Sequence, residues 1–411
     1  MTQPAKLQRV TKRRVFYIPG YDPIHPRRYR ELYRKEGTAQ AQISGYDIGL
    51  TPKAKSDIYG WHAQATIDGH ETHADIDVLV WSDIVRGSMS ESIPATYWQM
   101  LRTAWTYIGS GTLWRLMRMR KGPVIAALYP VGALLLQLFI AVIAAGVVVG
   151  LVKPLLIPLL GVFGHMLALL AGVGVAYAIL QWCKKNDGKI FAYYLMQDFA
   201  YSARWKGAYG PDLEQRIGVF ADHIAAALHD DVDEVLVVGH SSGAHLAVSL
   251  LADLKRAGRV PANGPALSLM SLGQVVPMVS FLPDAQRLRG DLAYLSTADI
   301  PWLDVTAPGD GCAFALCDPV AVSGVAPPDK KWPLVISAAF TQSLQPETWA
   351  ALRWRFFRLH FQYLCAFDAP LDYDYFQITC GPLTLADRYR NRRAAKSRIE
   401  TPLSKYTDTA R

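Results

Sequence analysis

Val235-Leu236-Val237-Val238-Gly239-His240-Ser241-Ser242-Gly243-Ala244-His245-Leu246-Ala247 holds three structural instructions in succession. The β-branched apolar run Val235 to Val238 reads as a buried strand. Gly239-His240-Ser241-Ser242-Gly243 has the form Gly-x-Ser-x-Gly and reads as a sharp turn. From Ala244 to Leu254 the apolar spacing is helical, and Gly258 closes the helix. A serine at a strand–turn–helix corner is forced into a strained backbone conformation. Glycines on either side let the strand and helix pass close to it. That context favours a nucleophile over a plain Gly/Ser turn.

Working outward, Val15 to Ile18 is a short strand ending in Pro19-Gly20-Tyr21-Asp22-Pro23. Residues 1–14 read as a basic leader. His25 to Gly37 is charged and helical. Ala41 to Ile48, Trp61 to Ile67 and Ala74 to Trp81 read as strands. Pro211 to Leu228 places Ile217, Phe220 and Ile224 on one helical face. Beyond the serine, Ala266 to Leu272 is a strand and Gln274 to Leu295 an irregular, partly helical excursion. Trp302 to Thr306 is a strand running into Ala307-Pro308-Gly309-Asp310-Gly311. Trp332 to Phe340 is a strand or a loop, and Glu347 to Leu359 a helix. Strands alternating with helices predict an α/β fold: a mostly parallel sheet with helices on both faces.

Between Lys121 and Lys153 no charged residue occurs for about thirty positions, and the same holds between Lys153 and Lys184. Each gap exceeds the roughly twenty apolar residues that cross a hydrocarbon core. A two-helix membrane hairpin is therefore expected inside the α/β domain, turning at Val152-Lys153-Pro154, with a hairpin dipping into one leaflet or a helical pair buried in a soluble core as alternatives. The flanks are basic: Arg115, Arg118, Arg120 and Lys121 before it, Lys184, Lys185 and Lys189 after it. That bias predicts both termini and the soluble mass on the cytoplasmic side. Just upstream, Trp98, Leu101, Trp105 and Ile108 recur at helical spacing, as on a helix lying in the bilayer interface or packed on the domain.

The net charge of +8 with 51% hydrophobic residues points to a membrane surface as partner rather than nucleic acid, for which no motif is present. Three basic clusters, Lys12-Arg13-Arg14, Arg27-Arg28-Tyr29-Arg30 and Arg388 to Arg398, are candidates for touching anionic headgroups. The five scattered cysteines fit neither a disulfide framework nor a zinc site, and a reducing compartment is expected. His70-Glu71-Thr72-His73-Ala74-Asp75 gathers imidazoles and carboxylates, but strand neighbours point to opposite faces, so a solvated hairpin is read there. No cofactor or metal is expected. The N-terminus has no apolar run of the kind a secretory signal requires.

A serine hydroxyl needs a base, and the base an orienting carboxylate. The Gly-His-Ser-Ser-Gly-Ala-His-Leu-Ala elbow in its strand–helix setting resembles that of the α/β-hydrolase superfamily, of the serine esterase and lipase kind. The resemblance covers roughly residues 14–90 and 190–385. It implies the chain order nucleophile, acid, histidine. His360 is the only histidine after Asp310. The resemblance therefore implies Ser241 as nucleophile, His360 as base and Asp310 as acid, with Asp304 and Asp318 as alternative acids. His240 and His245 lie too near the serine in sequence to act readily as base and are read as supports. The oxyanion hole is implied at the backbone N–H groups of Ser242 and Tyr21, although Pro19-Gly20-Tyr21 departs from the His-Gly-Gly pattern of lipases. The domains then run 1–95, first part of the hydrolase domain; 96–121, interfacial helix; 122–183, membrane hairpin; 184–387, second part with the elbow; and 388–411, basic tail. The implied activity is cleavage of an acyl ester at a bilayer, with lipids among the candidate substrates. An acyltransferase or thioesterase with the same triad, or a non-catalytic membrane scaffold, would read alike.

Overall fold

The computed structural model describes residues 7, 9–53, 58–89, 92–189 and 191–410. Residues 1–6 and 8 of the basic leader, and the Lys189 side chain, lie outside that description. Eight strands form one mixed, mostly parallel sheet: β1 (Lys12–Ile18), β2 (Asp47–Pro52), β3 (Tyr59–Ile67), β4 (His70–Val78), β5 (Glu234–His240), β6 (Ala266–Leu272), β7 (Trp302–Thr306) and β8 (Leu334–Ser337). Their order is β2-β3-β4-β1-β5-β6-β7-β8. From β4 to β8 every neighbouring pair is parallel, while β2, β3 and β4 form an antiparallel meander.

The central strands are buried on both faces, which is why β5 reads as an unbroken apolar run. On one face Val15, Tyr17, Leu236, Val238, Met270 and Val305 join Tyr29 and Tyr33 from the helix Arg27–Ser44 and Phe376 from the helix Tyr375–Cys380. On the other, the helix Gly243–Arg256 packs on β5, β1 and β6. At the strand starts the Arg13 guanidinium pairs with Glu234 at 2.7 Å, both side chains being fully buried. Arg13 also donates to the Gly381 and Leu383 carbonyls. Ser268 and the Leu385 N–H donate to Glu234.

Several elements differ from the sequence reading. Ala41 to Ser44 continues the helix Arg27–Ser44 instead of opening a strand, because Tyr33, Gly37, Gln40 and Ala41 keep its buried face at three- and four-residue spacing. Left-handed Gly45 then stops the helix and the strand starts at Asp47. Lys12 to Arg14 belong to β1, not to a leader. Arg13 is buried, and Arg14 is bound to Asp77 at 2.7 Å, which leaves Lys12 as the exposed member of this cluster. In the second basic cluster Arg28 pairs with Asp22 and Arg30 with Glu31. The helix expected over Glu347 to Leu359 is two, Pro346–Leu352 and Phe356–His360. The tail beyond Arg388 is tied to the domain: the N–H groups of Ala395 and Ile399 donate to the Val335 and Leu316 carbonyls, and Leu403 N–H to Val322.

A second compact unit comprises Ser88–Gly109 and Val124–Arg204. The helix Ile93–Gly109 packs Met100, Thr103 and Tyr107 inward, with the helix Ala192–Arg204 as its main neighbour. Trp98, Leu101, Trp105 and Ile108 are exposed on its other side. Two helices, Lys121–Leu160 and Val162–Lys185, are long and apolar enough to cross a membrane. Only 11% and 17% of their most apolar windows are buried, unlike a core helix. The turn between them is at Gly161, not at Val152-Lys153-Pro154. The first helix runs on through Pro154 and Pro158 and ends where Gly161 adopts φ 56° and ψ −126°, a conformation reserved for glycine. The pair packs through small residues: a Cβ on Gly172 would lie 2.6 Å from Val149 and 3.0 Å from the Ala145 carbonyl.

Candidate active site

The carboxyl ends of the parallel strands gather the chemistry. Ser241 follows β5, Asp310 follows β7, and His360 lies beyond β8. The chain leaving β1 turns toward β2, and the chain leaving β5 turns the other way, toward β6. Diverging connections of this kind open a crevice at the strand ends. Ser241 lies beside it with φ 55°, a left-handed conformation that serine adopts only under constraint. The constraint is visible. Ser241 N–H donates to the Leu272 carbonyl at 2.9 Å, and the Ala244 N–H donates to the Ser241 carbonyl. A Cβ on Gly239 would collide with Ala244, and one on Gly243 with the Ile18 and Pro19 carbonyls, so both positions exclude side chains.

His360 and Asp310 meet. His360 Nδ1 and Asp310 Oδ2 are 2.7 Å apart and buried. Asp310 has further donors: Tyr363 OH to Oδ2 at 3.0 Å and the Cys312 N–H to Oδ1 at 2.9 Å. Burial opposes ionisation of Asp310, but the His360 imidazole and these donors outweigh it and hold the carboxyl below its usual range. A carboxylate there fixes the proton of His360 on Nδ1 and leaves Nε2 as an acceptor. That Nε2 is buried and has no hydrogen-bond partner among the described residues.

Ser241 and His360 are not hydrogen-bonded to each other, although they adjoin the same residue. The His240 ring stacks on His360 at 4.9 Å. His240 Nε2 donates to the His360 carbonyl at 3.1 Å, while Nδ1 accepts from Tyr17 OH at 3.1 Å. Burial, reinforced by the neighbouring His360, pushes the His240 pKa down to about 3, so the ring is a neutral strut at physiological pH. His245 lies on the elbow helix and bonds Tyr209 OH at 2.9 Å, away from the histidine–aspartate pair.

The alternative acids are engaged elsewhere. Asp304 accepts from Ser271 at 2.5 Å inside the sheet, and burial raises its pKa to about 8, which keeps it protonated. Asp318 caps the helix Pro319–Val322 through the Val320 and Ala321 N–H groups and pairs with Lys330. Of the implied oxyanion donors, the Ser242 N–H opens the elbow helix and donates no hydrogen bond among the described residues. Helix N-termini favour negative charge. The Tyr21 backbone follows Gly20, where a Cβ would lie 2.8 Å from Ser241 Cβ and 3.3 Å from Oγ, so the loop after β1 rests on the serine. The Tyr21 ring lies edge-on to Trp81.

Two contributors escaped the sequence reading: Tyr363, three residues beyond His360, and Gly20, which makes room for Ser241. Cys312 brings a thiol within 4.8 Å of the donor atoms of Asp310 and His360. Ligands of a tetrahedral ion at about 2.0 Å stand roughly 3.3 Å apart. The 2.7 Å histidine–aspartate separation is that of a hydrogen bond and is shorter than that spacing. Compared with family models, curated proteins and solved structures, the chain matches none.

Proposed function

We propose that the chain is a membrane-tethered serine hydrolase that cleaves an acyl ester, with a lipid as the substrate class nearest to hand. The observation that carries the reading is the buried His360 ring, held by Asp310 on one nitrogen and open on the other, close to a serine at φ 55°. In this reading Ser241 attacks the acyl carbonyl as His360 Nε2 takes its proton. The oxyanion is received by the Ser242 and Tyr21 N–H groups. His360 returns the proton to the leaving group, and water then releases the acid by the same path. Asp310 stabilises the imidazolium without taking its proton. Catalytic hydrogen bonds are often long before substrate binds, so the open Ser241–His360 pair is compatible with this scheme.

The sheet bears on the tether. β1 pairs with β4, which precedes the apolar helices, and with β5, which follows them. Two strands of one sheet cannot lie on opposite sides of a bilayer, so the chain must return to the side it left, as a pair of spans or a re-entrant hairpin does. The basic flanks support the cytoplasm as that side. The exposed Trp98 and Trp105 suit the bilayer interface.

A fluorophosphonate probe tests the chemistry on the full chain in detergent. Wild type is expected to label at Ser241, and Ser241→Ala not at all. A wild type that never labels, or an alanine variant that labels equally, leaves the scaffold reading in its place. A C-terminal tag reachable only from outside the cell overturns the orientation.

A further inference from the structure

The turn bearing Asp310 is flanked by two aromatic rings. A Cβ on Gly309 would meet Trp349 at 2.6 Å, and one on Gly311 would meet Phe356 at 3.1 Å. Between these rings the chain reads Arg353-Trp354-Arg355-Phe356-Phe357-Arg358, and the helix Phe356–His360 leads directly into the catalytic imidazole. Trp354 is 72% exposed and Phe356 47%. Arg353, Arg355 and Arg358 are exposed, and none is paired with a carboxylate among the described residues. Arg14, Arg28, Arg216, Arg256 and Arg287 have acidic partners, whereas Arg27, Arg118 and Arg393 are exposed without a carboxylate partner among the described residues. Arg353 lies over the Trp354 ring at 5.6 Å, where it adds charge without covering the indole from water.

Exposed aromatic rings cost free energy in water, and unpaired guanidiniums gain most beside anions. Alternating the two on one short segment fits a surface that offers both: the headgroup layer of an anionic bilayer, with apolar chains just beneath it. We propose that Arg353–Arg358 is a docking lip that presses the mouth of the candidate site against an anionic membrane surface, so that the substrate is a lipid taken from that surface. The occupant is a bilayer rather than an acidic protein because two helices of the chain are long and apolar enough to cross one, and because tryptophan and phenylalanine at the lip suit its interface. The substrate clause rests on the hydrolase reading; the docking itself does not.

The test uses the full chain in lipid nanodiscs whose lipids carry brominated acyl chains, either all zwitterionic or with about a third anionic headgroups. Tryptophan emission is recorded for wild type and Trp354→Phe, and the difference isolates Trp354. That difference is expected to be strongly quenched in the anionic discs. Each surface cation contributes about a fivefold preference, so R353Q/R355Q/R358Q is expected to lower the docked-to-undocked ratio on the order of a hundredfold. The corresponding triple lysine variant keeps the charge and is expected to retain the quench. Melting in detergent checks that every variant is folded. An unquenched Trp354 signal in both discs overturns the lip, as it would if an acidic protein were the true partner. Fluorophosphonate labelling of wild type, read alongside, keeps the two ideas apart. Quenching without labelling removes the hydrolase reading and leaves the docking. Labelling without quenching does the reverse.

Discussion

At the scale of single residues the candidate site depends on who touches Asp310. Tyr363 OH donates to Asp310 and accepts from the Ala307 N–H, which ties the acid turn to the histidine segment. Tyr363→Phe deletes one donor to the carboxylate and leaves a buried N–H unpaired, a cost of about 1–3 kcal/mol in stability. Turnover is expected to fall roughly tenfold, by analogy with a mispositioned general base. Its check is a melting curve beside a probe-labelling rate. Gly20→Ala is expected to be more selective. A methyl 2.8 Å from Ser241 Cβ must push the serine or the loop aside. Labelling should drop about a hundredfold or more while the melting temperature moves little, since displacements near 1 Å carry that kinetic penalty. A labelling rate like wild type would show that the loop yields freely. Ser241 was legible because a glycine-flanked corner leaves a signature in adjacent letters. Tyr363 was not, because the chain has 20 tyrosines and only the three-dimensional path from Pro308 to Tyr363 selects one.

At the scale of elements, the buried Arg13–Glu234 pair locks the starts of β1 and β5. Arg13→Ala leaves Glu234 charged and buried without its partner, and is expected to destabilise by about 3–5 kcal/mol. The double change Arg13→Met with Glu234→Leu is expected to recover much of that loss; a double variant as unstable as the single would show that the carbonyl contacts of Arg13 matter more than the pair. β6 and β7 were legible to the residue, while β5 extends beyond its apolar run to Glu234 and His240. The segment Ala41 to Ile48 was misread because its composition suits a strand, while its buried positions continue the helix begun at Arg27. Lys153 and Pro154 suggest a turn between the apolar helices that the structure has at Gly161. A proline removes one hydrogen bond from a helix in apolar surroundings without ending it, whereas the backbone angles of Gly161 do end it.

At the scale of the whole molecule, acid is the expected weakness. Burial holds His240 and His245 near a pKa of about 3, against an ordinary value of 6.5. The unfolded chain takes up these protons below about pH 6.5 and the folded chain only near 3. Stability is therefore full above 6.5 and is lost as the pH falls through that window. The depressed Asp310 carboxyl adds to the loss lower in the range, below the usual carboxylate pKa. Melting temperature in detergent should decline from pH 7 to 4.5, and His245→Leu should decline less steeply. A variant curve parallel to wild type would place the acid sensitivity elsewhere. The α/β class and the apolar insertion were both readable from periodicity and charge spacing. The tail's return across the domain was not, because backbone donors such as the Ala395 and Ile399 N–H groups leave no mark in side-chain chemistry.

The interruption of the sheet by the apolar insertion also sets a timetable. β1 needs β5 as a neighbour, and the roughly 215 residues between Ile18 and Glu234 must be made first. At about 5–20 residues per second, ribosomes leave that flank of β1 without its partner for roughly 10–45 s. A bare flank of parallel strand invites pairing with other nascent chains. Polypeptides released before Glu234 are expected to aggregate rather than fold, which the solubility of chains truncated there checks.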